Sequence, residues 1–319
     1  MRRALCVGID FYRFGALRGC VSDAERMATL LAKHEDAAPD FDCRIMVAPN
    51  GGSDNDVTRS KLKQAIDQLF KDRAEVALLY FSGHGTEKNI DGYLVTQDAK
   101  SYDEGVSMTD VLGMANNSKA DEIVILLDCC HSGHLGNLPA IDNTKSLLRE
   151  GVSILTASRG DQVSVEASGA GLFTSLVGDA LEGGAADLMG DVTAPAIYAF
   201  VEAALGAWDQ RPLFKSHVSK VIALRKCKPA VETAILRELP LIFPVPAEDF
   251  PLSPEFEPSC DKRDASKTVI FDKLQALNHV HLVVPVDASH MYDAAMQSKA
   301  CQLTASGRYY WRLAKDKRI

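Results

Sequence analysis

The sequence has no apolar run long enough to cross a membrane, no excess of positive charge and no internal repeat. No window approaches the about 18 apolar residues of a spanning helix, and the apolar run near the N-terminus stops at Asp10, too early for a secretory signal. Acidic side chains outnumber basic ones by 43 to 35, which argues against general affinity for nucleic acid or anionic lipid. The eight cysteines in 319 residues are unevenly spaced, unlike a secreted disulfide framework. We therefore expect a cytoplasmic protein with reduced thiols and no membrane partner.

Short apolar runs alternate with amphipathic stretches up to about residue 226. Six runs have the composition of buried strands: 4–9, 44–48, 76–81, 122–127, 152–157 and 218–224. Helical spacing fills the gaps between them, with further helices expected near 107–116, 171–182 and 193–207. This alternation predicts an α/β fold with a mostly parallel sheet and helices on both faces. Ligand and catalytic groups in such sheets lie at the carboxyl ends of the strands.

The composition changes in the last third of the chain. Residues 240–258 contain six prolines in nineteen positions, and proline at that density disfavours both helices and central strands. We therefore expect a proline-rich linker over 229–262, extended and packed on a surface. Residues 263–319 show a helix–strand–helix pattern followed by LTASG and a last amphipathic helix, which resembles a small winged-helix-like module. Residues 230–319 carry 11 basic and 12 acidic side chains, a balance that disfavours DNA binding.

Two of the expected strands end in residues that carry chemistry. One leads into FSGHG at 81–85 and the next long one into DCCHSG at 128–133. Because neighbouring parallel strands end at the same edge of a sheet, the histidine and a cysteine are expected within side-chain reach. A nearby imidazole lowers the pKa of a thiol and later returns a proton to a leaving amine. The flanking glycines allow the backbone N–H groups to approach a developing oxyanion.

In this order, the two motifs resemble those of the caspase-like cysteine peptidases, most closely the metacaspase and paracaspase branch. The resemblance covers about residues 3–225 and does not extend over the last ninety or so. It predicts a caspase-like peptidase domain over 1–228, followed by the linker and by a sensor or regulatory module at 263–319. Further segments agree with the family in the same order: ALCVGIDFY, LRGCVSDAERMATLL, GYLVTQDA, SILTASRGDQVSVEA, GLFTSLVGDALEG and QRPLF.

The resemblance implies a role for several residues. His84 is implied as the general acid–base and Cys130 as the nucleophile, with an oxyanion hole formed by the backbone N–H groups of Gly85 and Cys130. Asp128 and Asp23 are implied in the primary specificity pocket. Two carboxylates in one pocket favour a guanidinium or ammonium group. We therefore expect cleavage after Arg or Lys rather than after Asp.

Some of these residues have structural alternatives. Cys129 neighbours the nucleophile on an extended chain, so its side chain is expected to point the other way and to be a buried spectator. Four residues suggest a zinc cluster: Cys129, Cys130, His131 and His134. Adjacent ligands on a strand diverge, so we expect no metal there. An acid that opens a helix is often only a cap or a dipole partner, which is an equal alternative for Asp23.

An acidic stretch follows the first of the two strands, with Asp103, Glu104 and Asp110. Several metacaspases need calcium, and carboxylate oxygens are the ligands that calcium prefers. The stretch lacks a dense pattern of ligands, so a solvated acidic loop is the favoured interpretation. We expect no cofactor, with calcium as the one candidate.

Relatives with this layout often cut themselves in the loop that follows the nucleophile. The corresponding segment, 135–151, is expected to be an exposed loop. It contains two basic residues, Lys145 and Arg149. These are the candidate sites of self-cleavage.

The leading functional hypothesis is a cysteine endopeptidase that acts on protein or peptide substrates. We expect a small-molecule or protein activator to bind the C-terminal module, with oligomerisation on activation. The architecture of similar bacterial proteins implies a stress or antiviral defence role. A catalytically silent caspase-like scaffold or adaptor is the main alternative, against which the intact pair of His84 and Cys130 argues. A DNA-binding regulator is a third, disfavoured by the charge of the C-terminal residues.

Overall fold

The structure, a computed structural model, describes residues 1–51, 56–88, 91–101, 103–129, 148–157, 166–167, 170–205 and 212–319. They form two units, one of residues 1–186 and 191–228, the other of residues 187–190 and 229–319. Among the described residues, no helix is both long enough and apolar enough to cross a bilayer.

The first unit alternates strands and helices along the chain. Its strands are β1 (Arg2–Ile9), β2 (Asp42–Ala48), β3 (Val76–Gly83), β4 (Gly85–Lys88), β5 (Asp91–Lys100), β6 (Asp103–Ser107), β7 (Glu122–Cys129), β8 (Val152–Thr156), β9 (Glu166–Ala167), β10 (Ala170–Gly171), β11 (Asp191–Thr193), β12 (Leu213–His217) and β13 (Ala223–Lys226). Its helices are α1 (Cys20–Ala32), α2 (Arg59–Lys71), α3 (Met108–Asn117), α4 (Leu172–Asp179), which continues as a π-helical turn over Ala180–Gly184, and α5 (Ala194–Leu205).

A six-stranded sheet lies at the centre of this unit, in the order β12–β8–β7–β3–β1–β2. Five of its strands are parallel, and β12 pairs antiparallel with β8 at one edge. All eight residues of β3 and all eight of β7 are buried, which explains their nearly continuous apolar sequences. The expected mostly parallel sheet is confirmed.

The two faces of the sheet pack against different helices, because successive strand residues point in opposite directions. One face, which carries Leu79 and Phe81, packs in a core with apolar side chains of α2 and α3. The other, which carries Leu78 and Tyr80, packs in a second core with α1, α4 and α5. Helices therefore cover both faces, as expected.

The prediction of one strand over 218–224 is wrong. Strand β12 ends at His217, before this run, and β13 begins only at Ala223. Residues 219–221 between them are exposed, and only Leu224 of the run is fully buried. Strands β4, β5 and β6 form a further three-stranded antiparallel sheet, which the apolar runs did not indicate. A short polar strand such as GTEK at 85–88 carries little strand signal in its sequence.

The second unit contains α6 (Thr233–Ile242), β14 (Phe250–Pro251), a 3-10 turn (Pro254–Phe256), α7 (Ala265–His279), β15 (Val283–Val286), α8 (Met291–Met296), β16 (Ala300–Leu303) and α9 (Ala305–Lys315). The three strands form an antiparallel sheet in the order β14–β16–β15. Trp311 is buried and donates a hydrogen bond of 2.7 Å from its indole nitrogen to the carbonyl of Phe243. The unit thus has its own core, and its winged-helix character stays a prediction.

Residues 229–262 differ from the expected extended linker. They contain α6, and Leu236, Leu239 and Phe243 at helical spacing are buried in the core of the second unit. Pro240 lies in the last turn of α6, where it removes one backbone donor of the helix. The burial of the apolar residues outweighs this loss, so proline content alone was misleading.

Candidate active site

The site is built at the carboxyl ends of two neighbouring strands. Strands β3 and β7 are paired in parallel, with Gly83 opposite Cys129. His84 follows Gly83 directly. Cys130 follows Cys129 in the sequence but lies outside the described residues. The described residues of the two motifs singled out in the sequence therefore lie at the paired ends of β3 and β7.

His84 is fixed through its backbone and its ring. Its N–H donates to the hydroxyl of Tyr12 at 3.0 Å, and its carbonyl accepts from the N–H of Val95 at 3.0 Å. Nε2 lies 2.9 Å from the carbonyl oxygen of Gly15. Because a carbonyl oxygen only accepts, Nε2 carries the proton in this bond. Nδ1 is then the nitrogen left to exchange a proton.

Tyr12 contacts His84 through its hydroxyl and its ring, and its role was not identified from the sequence. It is 3% exposed, and its ring centroid lies 4.7 Å from that of His84. Burial raises the pKa of Tyr12 well above its ordinary value, so the hydroxyl stays neutral. A Cβ on Gly83 would lie 2.4 Å from this hydroxyl, so only glycine permits the contact. The available signal was an aromatic residue just past β1, the strand next to β3.

Asp128 and Asp23 come from distant parts of the sequence. Asp128 is the penultimate residue of β7, and Asp23 lies in the first turn of α1. They are 7% and 4% exposed. Thr174 donates to Asp128 Oδ2 from its hydroxyl at 2.6 Å and from its N–H at 3.3 Å. Gly171 donates its N–H to Asp23 Oδ2 at 3.2 Å.

Gly171 brings the two carboxylates together. A Cβ on this glycine would lie 2.3 Å from Asp128 Oδ2, so one residue contacts both acids. Burial raises the pKa of Asp23 to about 6, and the negative charges of Asp128 and Asp10 act in the same direction. The group of carboxylates at this edge of the sheet therefore suits a cationic ligand group.

The helix-cap interpretation of Asp23 is wrong. Gly19 is the N-cap of α1, in the left-handed conformation with φ 97°. The backbone N–H of Asp23 donates to the carbonyl of Gly19, while its side chain bonds to Gly171. The carboxylate is thus hydrogen-bonded to the last residue of β10 rather than capping its own helix. Its position in the first turn of α1 leaves the helix-dipole alternative as a prediction.

Two other thiols lie near this edge. Cys129 is 1% exposed, and its expected burial in the core is confirmed. Cys20, at the start of α1, is also buried, and burial raises its pKa to about 12. A thiol that stays protonated is a poor nucleophile, so Cys20 is not a competitor for that role.

The acidic stretch at 103–110 is largely tied to basic side chains. Asp103 pairs with Arg59, and Asp110 with Lys63 at 2.7 Å. In the part of the chain that the structure describes, no three His, Cys, Asp or Glu side chains gather as a metal site. Calcium binding stays a prediction.

The candidate self-cleavage residues differ in what can be said of them. Lys145 lies outside the described residues. The Arg149 guanidinium donates to the carbonyls of Ala115, Ala120 and Glu150, at 3.2, 2.6 and 2.7 Å. Residues 148–151 are therefore part of the folded unit, which corrects the expected exposed loop at this end. The Arg149 side chain is occupied by these carbonyls rather than presented for cleavage.

The sequence matches known proteins over this first unit. The caspase domain family matches residues 1–222. Metacaspase-1 of Emericella nidulans is 29% identical over 166 residues, covering 47% of this chain and 40% of that protein. Metacaspase-1B of Neurospora crassa is 28% identical over 204 residues, covering 55% of this chain and 47% of that protein. The chain thus spans less than half the length of these curated relatives.

Solved structures are similar in fold. Caspase-1 of Spodoptera frugiperda has a TM-score of 0.50 at 11% identity, covering 71% of this chain and 90% of that one. A structural-genomics protein of Geobacter sulfurreducens has a TM-score of 0.50 at 16% identity, covering 72% of this chain and 98% of that one. At these identities the similarity concerns the fold alone.

Proposed function

Because the chain belongs to the caspase family of cysteine peptidases, we propose that it is an endopeptidase that cuts protein or peptide substrates after Arg or Lys. The observation that carries this specificity is the pair of buried carboxylates, Asp23 and Asp128, joined through Gly171. A substrate guanidinium or ammonium would bring to them a positive charge and several N–H donors. An aspartate there would add a third carboxylate to a site in which the pKa of Asp23 is already raised.

In the proposed mechanism Nδ1 of His84 takes the proton of the Cys130 thiol, and the thiolate attacks the scissile carbonyl. The C–N bond then breaks, and the acyl part of the substrate stays on Cys130 as a thioester. His84 passes a proton from Nδ1 to the leaving amine and then takes one from the water that hydrolyses the thioester. The backbone N–H groups of Gly85 and Cys130 donate to the oxyanion. The fixed Nε2 of His84 supports this assignment, because it leaves one defined nitrogen for proton transfer.

We propose the second unit as the receiver of an activating signal. It has a core of its own, and its main part, residues 229–319, lies beyond the residues that match the caspase domain. Truncating buried Trp311 to alanine would remove packing worth about 3 to 5 kcal/mol. The response to an activator should then be lost while activity without activator persists. If the wild type and Trp311→Ala respond equally to an activator, this role is refuted. Oligomerisation, a cytoplasmic location and a stress or antiviral defence setting stay predictions from the sequence.

The test of the proposed activity compares fluorogenic peptides that differ only in the residue before the scissile bond. We expect turnover with Arg or Lys and little with Asp. Cys130→Ala should abolish turnover, and the matched variant Cys129→Ser should retain it. A folded wild-type protein without turnover on any of the peptides would favour the scaffold alternative. Efficient cleavage after Asp would refute the proposed specificity.

A further inference from the structure

A cavity of about 540 Å³ opens beside His84, within the size range of ligand sites. His84 and Gly85 form one wall of it, and Phe14, Val95 and Ala99 provide apolar surface. The ring of Phe14 is 61% exposed, and its centroid lies 5.7 Å from that of His84. An exposed aromatic ring beside the candidate acid–base is a surface that a bound substrate can cover.

The cavity and the two carboxylates lie toward opposite faces of the central sheet. Asp128 is bonded to Thr174, whose hydroxyl lies 2.6 Å from that of Tyr80 in the core formed with α1, α4 and α5. The cavity is lined by Val95, which belongs with Tyr12 to the core on the other face. His84 follows the end of β3, between these two sides.

This arrangement separates the two halves of a bound peptide. If the basic side chain before the scissile bond occupies the carboxylates, the acyl half lies toward that face. His84 must reach the leaving amine to protonate it, and the residue that bears this amine then lies on the side of the cavity. We infer that the cavity is the subsite for the first residue after the scissile bond. The inference rests on the proposed peptidase function.

The lining indicates the class of residue that fits. Phe14, Val95 and Ala99 offer contacts to an apolar side chain of the size of leucine or phenylalanine. Lys100 and Glu104 also line the cavity, and their opposite charges give no net preference for a charged side chain. The subsite therefore selects for an apolar residue after the scissile bond.

The test uses the full chain and three peptides that are identical apart from the residue after a common Arg: Leu, Gly or Asp. We expect kcat/KM to be at least about 10-fold higher for the Arg–Leu bond than for the other two. Ala99→Phe, which places a phenyl ring among the lining residues of the cavity, should bring the Leu to Gly ratio close to one. Lys119→Phe adds the same ring to an exposed position that does not line the cavity, and it should keep the wild-type ratio.

An N-acylated arginine methyl ester, whose leaving group is only methanol, distinguishes failure of the subsite from failure of the proposed peptidase function. If the wild type hydrolyses this ester but cuts all three peptides at equal rates, the subsite is refuted and the proposed function stands. A Leu to Gly ratio that Ala99→Phe leaves unchanged refutes the location of the subsite. If neither the ester nor any peptide is hydrolysed, the proposed function fails and this inference fails with it.

Discussion

Replacing Asp23 by asparagine should stabilise the protein and at the same time weaken its action on Arg substrates. The pKa of this carboxyl rises from 3.8 to about 6 on folding, chiefly through burial. The folded state therefore holds the proton more tightly, and the wild type loses stability as the pH rises from about 4 to about 6. The amide carries no charge and keeps an oxygen that can accept from Gly171.

A shift of this size corresponds to about 1 to 3 kcal/mol of unfolding free energy above pH 7, allowing for residual solvation of the site. For a folding unit of about 200 residues, the size of the first unit, each kcal/mol raises Tm by about 2 to 4 °C. Urea denaturation should show Asp23→Asn as the more stable protein at pH 7.5, with the gain shrinking toward pH 4. Its kcat/KM on an Arg peptide should fall about 10- to 100-fold, since a charge-assisted contact is lost.

The control is Asp179→Asn, an exposed carboxylate that pairs with Arg26. Arg26 is also the cation that lowers the pKa of Asp23. Asp179→Asn should change neither stability nor kcat/KM appreciably. A fall in stability of Asp23→Asn at pH 7.5 would refute the reasoning, because it would mean that the Asp23 charge stabilises the fold.

Three further predictions concern residues around the site. Tyr12→Phe should lower kcat with little change in KM, and it should lower the free energy of unfolding by about 1 to 2 kcal/mol, because the N–H of His84 loses its acceptor. An unchanged kcat in steady-state assays would contradict this prediction. Gly171→Ala should reduce kcat/KM on Arg peptides at least about 10-fold, because the added Cβ would collide with the Asp128 carboxylate. The control, Gly113→Ala, has open space around its Cβ. It should keep wild-type kinetics and raise the free energy of unfolding by about 0.5 to 1 kcal/mol, since alanine favours the helix. Arg149→Ala should lower the free energy of unfolding in urea by about 1 to 3 kcal/mol, because the carbonyl of Ala120 loses its Arg149 donor and that of Ala115 keeps only the N–H of Ser118. Equal midpoints would refute the anchoring role.

The sequence was sufficient for features that depend on local pattern. Buried parallel strands have continuous apolar runs, so β3 and β7 and the residues at their ends were found directly. Strand alternation also predicted the burial of Cys129. The pairing of Asp23 and Asp128 came from family resemblance instead. Nothing local shows that a carboxylate in α1 meets a backbone N–H 148 positions later.

Features that depend on close packing between remote segments were missed for a physical reason. The contact of Tyr12 with His84 exists only because Gly83 has no side chain. The local sequence around Tyr12 or around His84 does not indicate this contact. Pro240 was misread because its local cost in α6 is outweighed by Leu236 and Leu239, whose burial is a property of the whole second unit. Local propensity sets an expectation that tertiary packing can override.

The measurement that tests the account most directly is labelling with an arginyl chloromethyl ketone, which alkylates a cysteine nucleophile with loss of chloride, followed by mass spectrometry of the labelled peptide. We expect one label, on Cys130, that is absent in Cys130→Ala and strongly reduced in Asp128→Ala. An otherwise identical aspartyl ketone should label far more slowly. Labelling of Cys129 or Cys20 in place of Cys130, or a preference for the aspartyl reagent, would contradict the assigned nucleophile or the specificity drawn from the two carboxylates.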